Sequence, residues 1–410
     1  MHMTSVQSAG ASPFVSRGYR WLGQSSLLVW IILFGLALRL LLLFLLRHNE
    51  VFLDELDYQS IAVSLLEKGC FCINGHPTAY RAPGEPLFIA GVFKLFGHHL
   101  IMVKFLQELL FSILPLYCAR LARLLKLGPT EANLTALLVA LHPALAYTAT
   151  TVYPTALAAV FLAVGITYGV SASADRSFPD AIKSGIGLGA AGMFITTFAP
   201  LPVLVGIYFI WKRYLRLGLV LGLIGTAPLI AWVGRNRITM GAWVVATNDG
   251  FNLFLGANEK ATPLSGNWVE PPTLQHGGTE LADSRELTAD AKWWIKEHPA
   301  RWVELSLARG LLVLDSVGRP VSQGAHTGLG AKLVAWSLLP FVLLGVGGLW
   351  AYRSTMSAWL VGLALMLVIL SSAITIVKPR FRFPCDPLLA PFAVGLIAKF
   401  KSSRAWPDKQ

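Results

Sequence analysis

The sequence predicts an all-α integral membrane protein, a bundle of about ten transmembrane helices with two long outer loops that carry juxtamembrane helices. Three observations predict it. Apolar runs of membrane length recur along the 410 residues, the chain is 55% hydrophobic and only 14% charged, and its mean hydropathy is +0.59. The basic residues gather at alternate ends of those runs, as the positive-inside rule requires. A soluble chain of this length would need more polar surface.

The net charge of +12 is therefore read as a topology signal and not as a nucleic-acid footprint. Cys70, Cys72, Cys118 and Cys385 are too few and too scattered for a disulfide framework, and they are read as incidental. Leu27–Leu46 is too long for a signal h-region and lacks a small-x-small cleavage site, so it is expected to stay as an anchor.

Taken in order, Arg17 and Arg20 put a cytoplasmic N-terminus (1–24) before a first span at roughly 25–46. A loop at 47–98 then lies outside. Spans follow at about 99–120, 130–149, 154–172, 184–199, 201–211 and 215–233, and the last exits at Arg235-Asn236-Arg237. These make an N-terminal membrane module, 25–234. Residues 235–330 form a second outer loop, whose Lys292-Trp293-Trp294-Ile295-Lys296 suits the headgroup layer. Within it, Arg309 and Asp315 interrupt an apolar stretch that is read as interfacial. A C-terminal module, 331–400, adds spans at about 331–350, 356–377 and 384–399, before a cytoplasmic tail at 401–410.

Charges that break the topology rule point to function. Arg235 and Arg237 cluster at an outer boundary, as do Lys378, Arg380 and Arg382. A lipid phosphate at headgroup depth would repay them, because arginine offers a planar bidentate fork. Ordinary headgroup contact is the bland alternative. Arg39, inside the first span, needs a protein partner that the sequence does not name.

The first loop holds Asp54, Glu55, Asp57, Tyr58, Arg81 and Glu85. A short helix is expected from Glu55 to Lys68, stopped by Gly69. Asp54 then has two readings. It is the N-cap of that helix, with Asp57 in the capping-box position. It is also placed to take a proton from an attacking hydroxyl while a phosphate departs. Arg81 sits in the rigid setting Thr78-Ala79-Tyr80-Arg81-Ala82-Pro83-Gly84-Glu85-Pro86, just ahead of a re-entrant helix at about 86–96.

Together, PTAYRAPGEPLFIAGVFKLFG (77–97), WVGRNRITMGAWVVATNDGFNLFLGAN (232–258), WIKEHPARW (294–302) and RFRFPCDPLLAPF (380–392) resemble bacterial glycosyltransferase family 39. Its relatives are the dolichyl-phosphate-mannose–protein mannosyltransferases and the lipid A aminoarabinose transferase, all of the GT-C fold. The resemblance implies a multi-pass enzyme of the bacterial inner membrane. It would take a sugar from a polyprenyl-phosphate donor at the periplasmic face and pass it to a glycan, lipid or protein hydroxyl.

The resemblance also assigns roles. Asp54 matches the catalytic aspartate, Glu55 the acidic partner beside it, and Arg81 a basic loop position, while Arg380 and Arg382 match the pair that holds the carrier phosphate. Arg235, Arg237 and Lys378 are further phosphate candidates, and Tyr58, Asn248 and Asn252 could contact sugar or acceptor. Two departures stand out. Glu85 replaces an aromatic and adds a carboxylate for acceptor choice or for a divalent cation, and the chain ends soon after its last span, without the C-terminal domain of some relatives.

Asp54, Glu55 and Glu85 could supply oxygen ligands, but no spacing is diagnostic of a metal, and His76 and His276 read as loop residues. Partners are the donor, the acceptor and membrane lipids, with no nucleic acid. The rival class is a transporter or flippase of lipid-linked sugars. It would need ionisable groups at several depths of the spans, and the spans read as nearly free of them. A non-catalytic scaffold is a third reading.

Overall fold

The computed structural model describes residues 26–46, 53–145, 151–264, 278–315 and 329–404. Arg17, Arg20 and His276 lie outside the described residues, as does most of the polar stretch 262–280.

The chain is a multi-pass membrane protein whose helices follow the apolar runs. α1 (Ser26–Leu45) leads to α2 (Leu53–Lys68), which Gly69 ends at φ 64°. A two-stranded hairpin, β1 (Cys72–Ile73) and β2 (His76–Pro77), follows. Its Asn74-Gly75 turn has φ 52° and 83°, the positive pair that matches the strand twist. Next come α3 (Gly84–Phe96), α4 (Leu100–Phe111), α5 (Leu114–Leu124) and α6 (Pro129–Ala140).

α7 (Thr155–Asp175) is buried along most of its length and packs against α8 (Phe178–Phe194). α9 (Leu201–Trp211) and α10 (Leu215–Met240) complete the first half. α8 and α10 touch through small residues: a Cβ at Gly189 would fall onto the Gly225 carbonyl, so glycine is what lets the backbones meet. The second long loop carries α11 (Asn248–Gly256), α12 (Glu280–Glu297) and α13 (Pro299–Leu312). α14 (Leu329–Ala351), α15 (Met356–Ile374) and α16 (Asp386–Arg404) follow, and α16 packs on α14, α5 and α6.

Among the described residues, five helical stretches are long and apolar enough to cross a membrane: Ser26–Leu45, Leu100–Leu124, Thr155–Asp175, Leu215–Met240 and Met356–Ile374. The other expected spans coincide with α6, α8, α9, α14 and α16.

The structure corrects three readings and supplies the partner that a fourth called for. α10 does not stop at residue 233 but runs to Met240, so Arg235, Asn236 and Arg237 lie in its last turns. Cys70 and Cys72 are bonded to each other across the start of the hairpin, and are not incidental. Arg39 has a partner: its Nε lies 3.2 Å from Glu108 Oε2, with the guanidinium 4.6 Å from the Phe111 ring centre, all inside the bundle. Glu108 and Lys104, both in the second span, also correct the view that the spans carry almost no other ionisable residues.

Candidate functional site

The first turn of α2 sets the centre. Helical spacing puts Asp54, Asp57 and Tyr58 on one face. Asp54 is not spent on capping. Its Oδ1 accepts a hydrogen bond from Arg81 Nη2 at 2.7 Å, and its Oδ2 accepts from Arg380 Nη2 at 2.8 Å and from the Tyr153 hydroxyl at 3.3 Å. Asp57 shares Arg81, accepting from its Nε at 3.0 Å and its Nη2 at 2.6 Å.

Aromatic rings back both guanidinium groups. Arg81 lies 5.4 Å from the Tyr58 ring centre and 4.9 Å from that of Tyr80, and Arg380 lies 4.7 Å from that of Tyr153. Arg380 is supplied by the short 3₁₀ turn Pro379–Phe381, between α15 and α16. Its Nη1 is buried and donates to nothing. Asp54 keeps 26% of its side chain open. The centre is thus partly open, with one carboxylate between two arginines and one guanidinium nitrogen in reserve.

Burial opposes ionisation of Asp54, but Arg380 and Arg81 outweigh it and hold the carboxyl below its ordinary value. Glu55 and Glu85 behave in the opposite way. Burial raises the Glu55 carboxyl, the Asp54 charge adds to this, and Lys104 pulls against it. Glu85 is fully buried, neither of its oxygens has a hydrogen-bond partner, and burial followed by the Glu55 charge pushes it up to about 8. Its position is fixed by the docking of α3 on the end of α8: a Cβ at Gly84 would sit 2.8 Å from the Met193 carbonyl oxygen. At neutral pH Glu85 is a protonated acid. Burial likewise raises the Tyr58 hydroxyl, which stays neutral.

The other residues singled out from the sequence go elsewhere. Arg382 does not join Asp54. It is 1% exposed, its Nε is 2.7 Å from Asp386 Oδ1, and its Nη1 donates to the Val313 carbonyl at 2.8 Å. Arg235 spends its donors on main chain, giving Nη1 to Thr78 O at 2.7 Å and Nη2 to Phe71 O at 2.8 Å. Arg237 is exposed and binds the Gly241 carbonyl. Asn248 opens α11 and Asn252 is half-buried within it, and neither is in the hydrogen-bonded set around Asp54. Lys378 stands half-buried just before the 3₁₀ turn.

Tyr153 and Glu280 are functional-site neighbours that the sequence did not single out. Tyr153 is the aromatic of Tyr153-Pro154, a weak signal at the mouth of α7. Glu280 gave none: it reaches Thr78 and Ala79 across about two hundred residues. Among the described residues no three His, Cys, Asp or Glu side chains are grouped as metal ligands.

Residues 76–232 match the family model described as dolichyl-phosphate-mannose-protein mannosyltransferase. That match includes Arg81 and Glu85 but neither Asp54 nor Arg380. The Archaeoglobus fulgidus oligosaccharyltransferase, solved with Zn and sulfate, aligns over 93% of this chain and 50% of its own, at 12% identity and a TM-score of 0.51. The same protein in its apo form aligns over 96% and 52%, at 12% identity and 0.51. The fold is GT-C. The chain spans about half the length of the oligosaccharyltransferase it matches. ArnT from Cupriavidus metallidurans, bound to undecaprenyl phosphate, aligns over 91% of this chain and 79% of its own, at 16% identity and a TM-score of 0.42. No curated protein matches the sequence significantly.

Proposed function

We propose that this GT-C protein is a glycosyltransferase that moves a sugar from a polyprenyl-phosphate donor to an acceptor hydroxyl, at the periplasmic face of the bacterial inner membrane. One observation carries the reading: Asp54 lies between Arg81 and Arg380, and Arg380 keeps a buried donor unpartnered. Arg81 is shared with Asp57, so two carboxylates meet two guanidinium groups, and it is the unused Arg380 donor that suits a further anion. The family model matched by residues 76–232 names a polyprenyl-type phosphate sugar as donor, which supports a phosphate as that anion.

The step is an inverting displacement. The acceptor oxygen forms a bond to the anomeric carbon, the bond from that carbon to the phosphate oxygen breaks, and the phosphate leaves with the electron pair. Asp54 takes the acceptor proton. Arg380 stabilises the charge that grows on the departing phosphate, a preorganised role for a fixed guanidinium. With both arginines on it, Asp54 is a weak base. An arriving phosphate competes for the guanidinium groups and returns basicity to the carboxylate when the donor is bound. Tyr58, the proposed sugar contact, packs edge-to-face on Tyr153 with ring centres 6.3 Å apart. Asn248 and Asn252 remain candidates for contact with sugar or acceptor, and Arg237 and Lys378 for the carrier phosphate.

The flippase reading asks for ionisable groups at several depths of the bundle. Arg39 and Glu108 answer each other as one buried pair, which favours the enzyme. The test is purified protein in liposomes with a set of labelled polyprenyl-phosphate sugars, following release of the free lipid phosphate. Release that depends on an added acceptor supports transfer. Movement of intact donor across the bilayer without release supports the flippase.

A further inference from the structure

The segment that delivers Arg81 is held from both sides. Arg235 takes the Thr78 carbonyl at 2.7 Å, and the Thr247 N–H donates to the Ala79 carbonyl at 3.1 Å. Glu280 completes the clamp. Its Oε2 accepts from the Thr78 hydroxyl at 2.5 Å, and its Oε1 accepts from the Ala79 N–H at 3.0 Å and from the Thr247 hydroxyl. The Thr78 hydroxyl in turn accepts from the Tyr80 N–H at 2.9 Å. One carboxylate oxygen thus holds the Ala79 main chain and the other the Thr78 side chain, in the strap 78–81 that ends at the guanidinium meeting Asp54 and Asp57.

Glu280 gets its own position from α12. Thr279 caps that helix by accepting from the Ala282 N–H at 3.3 Å, so Glu280 stands in its first turn, where an acidic group is favoured. Ser284, one turn on, donates to the Thr247 carbonyl at 2.6 Å and ties the same helix to the segment before α11 that also holds Ala79. Hydrogen bonds to an ionised acceptor are the strong class, so this contact is stiff where neutral loop contacts are soft.

We propose that Glu280 is a positioning residue for the Asp54 centre, setting the place of Arg81 by holding Thr78 and Ala79. The role rests on the reading of Asp54 as the reactive carboxylate, and it makes the second long loop part of the site without touching substrate. The charged and titratable groups that face Asp54 are Glu55, Asp57 and Tyr58 from α2, Arg81 from the strap, Tyr153 before α7 and Arg380 from the 3₁₀ turn. Those that face Glu280 are Tyr80 and Arg235, with Asp283 on its own helix.

The test is a cycle of Glu280→Gln and Arg81→Lys in the full-length protein in liposomes, reading kcat/KM for a polyprenyl-phosphate sugar. Glu280→Gln is expected to cost about tenfold in the parent and almost nothing once Arg81→Lys has broken the contact it serves. Equal losses in both backgrounds overturn the proposal, because a contact that only fastens two loops acts independently of Arg81. If Glu280→Gln does not fold, Thr247→Val removes one donor to Glu280 and enters the same cycle under the same criterion. A second arm needs no turnover. Infrared titration of Asp54, taken as parent minus Asp54→Asn, is expected to give a higher midpoint in Glu280→Gln, since a displaced Arg81 no longer favours the carboxylate. An unmoved midpoint overturns the role. A parent that transfers no sugar defeats the proposed function, and the infrared arm then decides the place of Glu280 alone.

Discussion

Arg380 donates to Asp54 at 2.8 Å from 326 residues further along the chain, while Arg382, two positions later, points away into an ion pair with Asp386. Two arginines that look alike in sequence thus have different work. One completes an open centre and the other seals the helix that follows.

That split predicts opposite phenotypes. Arg380→Ala is expected to fold normally and to lose activity by about 10²–10³-fold, the usual cost of removing one preorganised donor. Arg382→Met leaves the buried Asp386 with only the His142 imidazole, 3.8 Å away, at a cost of about 3–5 kcal/mol. It is expected to lower the melting temperature in detergent sharply, with most of the loss recovered in Arg382→Met/Asp386→Leu. Melting curves beside turnover assays separate the two outcomes.

The Arg39–Glu108 pair makes a similar case inside the membrane. Either residue alone is costly there, and together they neutralise each other between α1 and α4. Glu108→Leu is expected to reduce the yield of folded protein, and Arg39→Leu/Glu108→Leu to restore it. Folded yield by size-exclusion chromatography checks this; a double variant worse than both singles would contradict it.

Glu85 predicts the pH dependence of stability. Its folded value, about 8, lies above the ordinary 4.5, so the folded chain holds a proton that the unfolded chain releases. Its favourable contribution is present below about 4.5 and is lost as pH rises toward about 8. Glu85→Gln, which cannot ionise, is therefore expected to be stabilised relative to the parent at pH 8 and to differ little at pH 5. Thermal melts at the two pH values measure the difference.

Much of the bundle was legible because lipid demands long apolar runs, and the expected spans fall on observed helices. Arg380 was legible as a charge that breaks the topology rule, and Asp54 and Arg81 through the acidic helix start, the proline-rich loop and the resemblance. Other features escaped for physical reasons. Asn74-Gly75 is a strong two-residue hairpin signal, hidden by strands of only two residues each. Arg235 reads like a phosphate ligand, but its carbonyl partners carry no side-chain signature. Asp54 lies inside the first turn of α2 because the helix starts at Leu53, its oxygens are taken by arginines that local pattern does not bring near, and Glu280 likewise acts across the fold.

The most direct measurement is single-turnover sugar transfer by Asp54→Asn, which keeps the shape of the side chain and removes its charge. With donor binding and melting temperature matched to the parent, the rate is expected to fall by about 10²–10⁴-fold, the range for loss of a general base. Transfer at the parental rate would contradict the assignment of Asp54 and, with it, the account of the site.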